Sequence, residues 1–105
     1  MNQLFIEAKP FTRKWPNYMT EAEFREFQNY LLESPDAGEI VKGTSGIRKI
    51  RWNVAGGGKR GGLRIIYYWK TSLDQIYLLT VYRKNELADL TPADYKLLKL
   101  AVERW

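Results

Sequence analysis

The chain contains 105 residues and carries a formal charge of +5, with 45% hydrophobic and 14% aromatic residues. This length suits one domain with a single hydrophobic core and is too short for two, so we predict one domain over residues 1–105. The absence of cysteine excludes disulfides and thiolate chemistry, and the absence of histidine excludes the commonest acid–base catalyst and metal ligand. Catalysis would therefore have to use lysine, arginine, tyrosine or carboxylates.

The sequence contains no candidate membrane or export segment. No window approaches the roughly 18 consecutive apolar residues of a membrane span. The first residues also lack the basic start and long apolar stretch of a signal peptide. We therefore expect a protein without a membrane partner that acts in the cytoplasm.

The first part of the chain predicts a strand and then a helical region. Residues 4–8 read as a short strand closed by Pro10, and residues 11–18 are ambiguous, with a helical turn as one interpretation. Residues 20–23 have the spacing of a capping box, in which Thr20 caps the helix and Glu23 occupies its third position. The apolar residues that follow share one helical face, and they are Phe24, Phe27 and Leu31.

The second part predicts three strands and a final helix. Residues 47–54 alternate between an apolar and a cationic face, and residues 63–70 are apolar on both faces, which predicts a central strand. Residues 71–74 have the length of a turn, and residues 76–82 form the next strand. Thr91 then caps a final helix, with Pro92 in its first turn and the acidic Asp94 at its third position. The predicted fold class is α+β, with an antiparallel sheet of about four strands, an N-terminal helical region and a C-terminal helix.

Positive charge is concentrated in one segment. Between Ile40 and Leu73 the chain has eight basic residues and no acidic residue, whereas the remainder has nine basic and twelve acidic residues. The eight are Lys42, Arg48, Lys49, Arg51, Lys59, Arg60, Arg64 and Lys70. A local field of this sign favours a polyanion, and nucleic acid is the first candidate. The alternative is a solvated basic face that binds nothing.

Two of the predicted strands carry cations suited to a binding or catalytic face. Lys49 and Arg51 lie on the same face of one strand, about 7 Å apart. Arg64 stands in an otherwise apolar run of the next strand. A guanidinium in that position must find a carboxylate, such as Glu7 or Glu86, or face an open groove.

The strand over residues 76–82 ends in Tyr82, followed by Arg83 and Lys84. If this strand and the Lys49 strand flank the Arg64 strand, these groups converge on one face. Such a cluster suits RNA cleavage by attack of a 2′-hydroxyl on its own phosphate, with proton removal, phosphorane stabilisation and protonation of the 5′-oxygen. Arginine suits the second task, and lysine with a depressed pKa suits the first or third. Tyr82 is a further proton donor or acceptor, or a packing residue.

The glycine-rich segment 56–62 does not match a nucleotide-binding loop. It lacks the Gly-Lys-Ser/Thr ending of a P-loop and does not lead from a strand into a helix. We interpret it as a basic loop that contacts RNA backbone through Lys59 and Arg60, or as a plain linker.

Taken together, these residues resemble the RelE/ParE superfamily of bacterial toxins, most closely its HigB-like branch. Residues 46–51, 58–68 and 78–91 carry the resemblance, in the family's order and at its spacing. The strand and helix that precede them also fit, so the resemblance covers nearly the whole domain. It implies a RelE-like fold.

The resemblance implies a toxin that cleaves mRNA in the ribosomal A site, without a metal or other cofactor, and so inhibits translation. By analogy Lys49 or Arg51 would help to activate the 2′-hydroxyl, Arg64 would stabilise the phosphorane, and Lys84 would assist the leaving group. Several RelE-type enzymes have a catalytic tyrosine just before the last helix. This chain has residues 88–90, Ala-Asp-Leu, at that place, so Tyr82 is the candidate substitute.

The resemblance also implies partners and two alternatives. The expected partners are a HigA-like, DNA-binding antitoxin, operator DNA reached only through that antitoxin, and the 70S ribosome with its mRNA. The residues expected to bind RNA or the ribosome are Arg48, Lys59, Arg60, Arg83 and Lys42. The alternatives are a ParE-like toxin that inhibits DNA gyrase and a non-catalytic RNA-binding module.

Overall fold

The computed structural model describes residues 4–54 and 62–105, which form an α+β fold around a five-stranded sheet. The elements in chain order are β1 (Leu4–Glu7), α1 (Lys9–Lys14), a 3₁₀ turn (Trp15–Asn17), α2 (Glu21–Glu33), β2 (Glu39–Ile40), β3 (Arg48–Trp52), β4 (Leu63–Lys70), β5 (Gln75–Arg83) and α3 (Pro92–Arg104). The strand order across the sheet is β1-β5-β4-β3-β2, so the prediction that β4 is central is confirmed. Within the described ranges no helix is long and apolar enough to cross a bilayer.

Both long helices begin at the capping boxes that the sequence predicts. The Thr20 hydroxyl accepts a hydrogen bond from the Glu23 amide at 3.1 Å, and the Glu23 carboxylate accepts one from the Thr20 amide at 2.8 Å. Thr91 and Asp94 form the same reciprocal pair at the start of α3. These bonds satisfy amides that have no partner within the helix, and they fix where each helix begins.

The sheet buries a core on each face. On one face α1 and α2 cover the apolar side of the sheet, and this core contains Phe11, Met19, Phe24, Phe27, Leu31, Ile50, Leu63, Ile65, Tyr67, Ile76, Leu78 and Val81. On the other face α3 covers a smaller core, made of Ile47, Ile66, Leu79, Tyr82 and Val102. Among the described helices only α3 packs there, and Arg51 on the same face is exposed.

The sheet differs from the predicted one in two details. β1 pairs in parallel with β5, so the sheet is mixed rather than wholly antiparallel. The two-residue strand β2 adds a fifth member, paired with the start of β3. Hydrophobic periodicity carries no signal for strand direction, and two exposed residues are too few to show an alternation. Pro10 lies in the first turn of α1, where its missing amide costs nothing, rather than marking only the end of β1.

A β-bulge in β5 changes which way its last residues point. Tyr67 pairs with Leu78 and Ile66 pairs with Thr80, so Leu79 is the extra residue on β5. Strict alternation from Leu78 would direct Tyr82 towards α1 and α2. The extra residue reverses this and directs Tyr82 to the face that α3 partly covers.

Tyr67 anchors the loop between α2 and β2 through hydrogen bonds made by its hydroxyl. Its side chain is fully buried, and its hydroxyl donates to the Pro35 carbonyl and accepts from the Gly38 amide, both at 2.8 Å. A Cβ at position 38 would lie 2.8 Å from the Tyr67 ring, which explains a glycine there. Arg48 completes the attachment by donating to the Asp36 and Gly38 carbonyls at 3.1 and 2.7 Å.

Replacing Tyr67 with phenylalanine should lower the free energy of unfolding by about 1–3 kcal/mol, because two backbone groups would lose their partner. Urea denaturation measures the change. Tyr68→Phe is the matched control, since the structure gives the Tyr68 hydroxyl no hydrogen-bond partner among the described residues. Equal losses in both variants would contradict the assigned role of the Tyr67 hydroxyl.

Candidate functional site

Three site residues predicted from the sequence lie in one row across the sheet. Arg51 on β3 pairs with Arg64 on β4, and Arg64 pairs with Tyr82 on β5. Residues that pair across a sheet project from the same face, with Cβ atoms about 5 Å apart. Lys49 lies two positions before Arg51 and projects from that face as well. We call these four residues the cationic face; the expected convergence follows from β3 and β5 flanking β4.

An open groove of about 590 Å³ runs beside β3 and is lined in part by Lys49, Arg51 and Arg64. Arg51 is exposed, whereas Lys49 and Arg64 are half-buried. Glu39 supplies the one carboxylate among the lining residues that the structure describes. A groove with three cations and a single carboxylate suits an anionic ligand.

Arg64 faces this groove rather than a buried carboxylate. Its guanidinium donates to the Leu63 carbonyl at 3.3 Å, and within residues 4–54 and 62–105 no carboxylate forms an ion pair with it. The two carboxylates considered as partners are engaged elsewhere: Glu7 accepts from Thr12 at 2.8 Å and Glu86 accepts from Tyr18 at 3.0 Å. Most of the donors of Arg64 are therefore available to a ligand.

The carboxylate of Asp89 connects the cationic face to α3. One of its oxygens accepts from the hydroxyls of Tyr95 at 2.7 Å and Tyr82 at 3.2 Å, and from the Leu90 amide at 2.7 Å. The other oxygen forms an ion pair with Lys49 at 3.2 Å. Four donors from β3, β5, α3 and the segment before α3 thus meet on one side chain.

The contacts around Asp89 lower its pKa and raise the pKa values of Tyr82 and Tyr95. Partial burial alone would raise the pKa of Asp89, but hydrogen bonds from Tyr95, Lys49 and the Leu90 amide outweigh it and lower the pKa to about 2. Burial, together with the charge of Asp89 and the hydrogen bond to it, raises the pKa of Tyr82 to about 12. Burial and the bond to Asp89 raise the pKa of Tyr95 as well. Near neutral pH both tyrosines are therefore neutral donors and Asp89 is an anion.

The sequence left two roles open for Tyr82, one in proton donation or acceptance and one in packing. Its ring is only 4% exposed and packs in the core beneath α3, while its hydroxyl bonds to Asp89. A buried phenol with a raised pKa is a poor proton acceptor. The structure therefore supports a packing and hydrogen-bonding role for Tyr82 rather than a basic one.

Lys84 and Arg83 follow Tyr82 in the sequence, but their side chains make different contacts. Lys84 is exposed, and its ammonium lies 3.5 Å from the Ala88 carbonyl, in the turn between β5 and α3. Arg83 projects from the opposite face of the sheet, with its guanidinium 5.3 Å from the centre of the Tyr18 ring. Lys84 therefore lies beside the turn that carries Asp89, whereas Arg83 lies on the other side of the sheet.

The other expected RNA-binding residues are divided among three places. Arg48 also projects from the opposite face, where it holds loop carbonyls. Lys42 is exposed in the turn before β3, next to α3. Lys59 and Arg60 lie outside the described residues.

The sequence analysis did not identify Asp89 and Tyr95 as site residues. Asp89 lies in a turn with no motif, and the spacing of Tyr95 indicates a residue on the buried face of α3. Their meeting depends on how α3 packs against β5, which local sequence does not encode. The hydroxyl on an otherwise apolar helix face was the one available signal, because a buried tyrosine hydroxyl usually has a hydrogen-bond partner.

Within the described part of the chain, no three potential metal-ligating side chains cluster together. The groups that could act on a ligand there are the cations, the phenols and the carboxylates of Glu39 and Asp89. Such a set can bind a phosphate, stabilise charge that develops on it and donate protons to it.

No family model matches the chain. Among solved structures, the chain resembles the Escherichia coli toxin RelE, determined in the free state as a variant with two arginines changed to alanine. The TM-score is 0.58 at 15% sequence identity, over 84% of this chain and 90% of that chain. It also resembles the intact E. coli RelBE toxin–antitoxin complex, with a TM-score of 0.56 at 15% identity, over 76% of this chain and 94% of that chain.

These similarities define the class of fold: the protein has the fold of RelE, as the sequence resemblance implied. Assignment to the HigB-like branch stays a prediction.

Asp89→Asn should remove a contribution to stability that depends on pH. Because the pKa of Asp89 is lowered from 3.8 to about 2 by folding, its charge stabilises the protein fully above about pH 4, and the effect is lost as the pH falls through 2. The side chain is 48% exposed, so solvent screening reduces the expected effect to about 1 kcal/mol.

Urea denaturation of both proteins between pH 7 and pH 2 measures this. The difference in free energy of unfolding should be largest above pH 4 and should shrink towards pH 2. A difference that stays constant over this range would mean that the charge of Asp89 does not stabilise the fold.

Proposed function

We propose that this protein is the toxin of a type II toxin–antitoxin system and cleaves mRNA in the A site of the ribosome. The observation that carries the proposal is the row formed by Arg51, Arg64 and Tyr82, with Lys49 beside it, on the open part of a RelE-type sheet. The proposed reaction is attack of a ribose 2′-hydroxyl on the adjacent phosphate, without a metal ion or other cofactor.

Arg64 is the proposed stabiliser of the transition state. It sits on the central strand, where the cores on both faces fix its backbone, and no described carboxylate neutralises it. Arg51 lies directly opposite on β3. Two guanidiniums can bind the non-bridging oxygens of the phosphate and stabilise the negative charge that grows on them in the phosphorane.

The proton transfers are assigned to groups around this pair. The 2′-hydroxyl releases its proton to water as its oxygen attacks phosphorus, and the charge of Lys49 or Arg51 helps to activate it by stabilising the negative oxygen that forms, with Lys49 held in place by Asp89. The exposed ammonium of Lys84 assists departure of the 5′-oxygen, which gains a proton as its bond to phosphorus breaks. Tyr82 acts as a neutral donor that orients Asp89, because its raised pKa opposes a role as base.

The proposed partners follow from the same assignment. A ribosome and its mRNA supply the substrate, which places the activity in the cytoplasm. One similar structure is a toxin–antitoxin complex, which supports an antitoxin that binds this chain and inhibits it. We propose that the antitoxin is HigA-like and DNA-binding, and that operator DNA is contacted only through it. Positive potential on the open face also favours rapid association with RNA.

Arg64→Ala should reduce mRNA cleavage about 100- to 1,000-fold, the usual loss when one donor to a developing oxyanion is removed. The measurement maps mRNA 5′ ends in a cell-free translation reaction with wild-type protein or the variant. Cuts should fall within codons held by ribosomes. Arg64→Lys should recover part of the activity, since it keeps the charge without the planar fork.

Arg25→Ala is the matched control, because Arg25 is exposed on α2 at the opposite face of the sheet. It should cleave like the wild type. Thermal melting of each variant separates lost activity from lost folding. Intact mRNA with wild-type protein would reject the nuclease; inhibition of gyrase supercoiling would then favour the ParE-like alternative, and RNA binding alone would favour a non-catalytic module.

A further inference from the structure

A second basic groove lies on the other side of the Asp89 cluster. It has a volume of about 470 Å³ and separates the turn before β3 from the first half of α3. Its lining residues are Lys42, Gly43, Thr44, Pro92, Tyr95, Lys96 and Lys99. We call it the lysine groove. Apart from Lys42 and Tyr95, none of these residues belongs to the site described above.

The charge of the lysine groove is not neutralised within the protein. Its lining contains three lysines and, among the described residues, no aspartate or glutamate. No ion pair joins Lys42, Lys96 or Lys99 to a carboxylate in residues 4–54 and 62–105. Three ammonium groups around one concave surface repel each other, and an anionic ligand between them would relieve that repulsion.

The shape of the groove is fixed by the framework beneath it. Thr44 is buried, and its hydroxyl donates to the Val41 carbonyl at 2.6 Å and accepts from the Ile47 amide at 3.1 Å. On the other wall, the capping box of Thr91 and Asp94 fixes the start of α3. The lysines therefore project from two anchored elements rather than from mobile tails.

An aromatic side chain connects the lysine groove to the cationic face. The Tyr95 side chain lines the groove, and its hydroxyl is held 2.7 Å from an oxygen of Asp89. The other oxygen of Asp89 is 3.2 Å from the Lys49 ammonium, which lines the first groove. One carboxylate thus bonds to a lining residue of each groove, which makes the two grooves neighbours on the surface.

We propose that the lysine groove binds the phosphate backbone of single-stranded RNA that continues from the cationic face. This proposal rests on the proposed function, because the RNA is the chain that Arg64 acts on or the ribosomal RNA beside it. Ammonium groups that track a backbone, with an aromatic ring on which a base can stack, are the usual components of single-stranded RNA sites. An acidic peptide would use the lysines but would gain less from Tyr95.

The test compares wild-type protein with the triple variant in which Lys42, Lys96 and Lys99 are changed to glutamine. The first arm titrates a 2′-O-methylated RNA oligomer, which cannot be cleaved because its nucleophile is blocked, and follows fluorescence anisotropy at several salt concentrations. Three lost phosphate contacts should reduce the slope of log affinity against log salt by about 2, at about 0.7 for each phosphate. The second arm measures co-sedimentation with 70S ribosomes that carry no mRNA.

The matched control changes Lys9, Arg13 and Lys14 to glutamine, which removes the same charge from exposed positions on α1. It should keep the wild-type salt slope. Loss in the oligomer arm assigns the groove to mRNA, and loss in the ribosome arm alone assigns it to ribosomal RNA.

Equal behaviour of the two triple variants in both arms would overturn the proposal. The mRNA cleavage assay of the wild-type protein is a separate readout. If the wild type cleaves no mRNA but the lysine variant lowers the salt slope, the nuclease assignment fails while the RNA site stands.

Discussion

Repulsion between like charges is the main physical constraint on the cationic face. Lys49, Arg51 and Arg64 project from the same face of two paired strands, β3 and β4, whose other face packs in the core under α1 and α2. Asp89 is the carboxylate that meets this cluster, and it bonds to Lys49 rather than to either arginine. Asp89 thus orients the lysine, and among the described residues no carboxylate forms an ion pair with either guanidinium.

The C-terminal helix α3 determines how much of that face remains open. Its Val102 packs into the second core, and the Lys70 ammonium bonds to the carbonyl of Trp105 at 2.9 Å, so the end of the chain is anchored far from the cations. The start of α3 contacts the site through the hydroxyl of Tyr95, which bonds to Asp89 in the preceding turn. The last turns of α3 therefore pack on the second core, and its first turn meets the cationic face at Asp89.

Features encoded by local sequence were predicted well. The capping boxes at Thr20 and Thr91, the buried face of α2 and the central position of β4 depend on residues close together in the chain, and all are confirmed. The convergence of Lys49, Arg51 and Arg64 was also predictable, because alternation along β3 and pairing with β4 are regular.

Features that depend on distant packing were not predictable. The direction of β1 depends on how the helices cross the sheet, and the Asp89–Tyr95 bond depends on the position of α3. The presence of a basic residue also did not predict whether its side chain faces the site or stabilises the fold. Arg48 holds a loop and Arg83 lies over Tyr18, although both lie in or beside the positively charged part of the sequence.

Because β5 contains a bulge at Leu79, the site depends on the number of residues in that strand as well as on their identity. Without that extra residue the alternation of β5 would bring Tyr82 among the aromatic side chains under α2, and Asp89 would lose one of its donors. Substitutions at position 79 can keep the geometry, whereas a deletion there exchanges the two faces for every residue that follows in the strand. Insertions and deletions in β5 should consequently be tolerated far less well than substitutions, and an alignment of relatives that ignores the bulge would assign Tyr82 to the wrong side of the sheet.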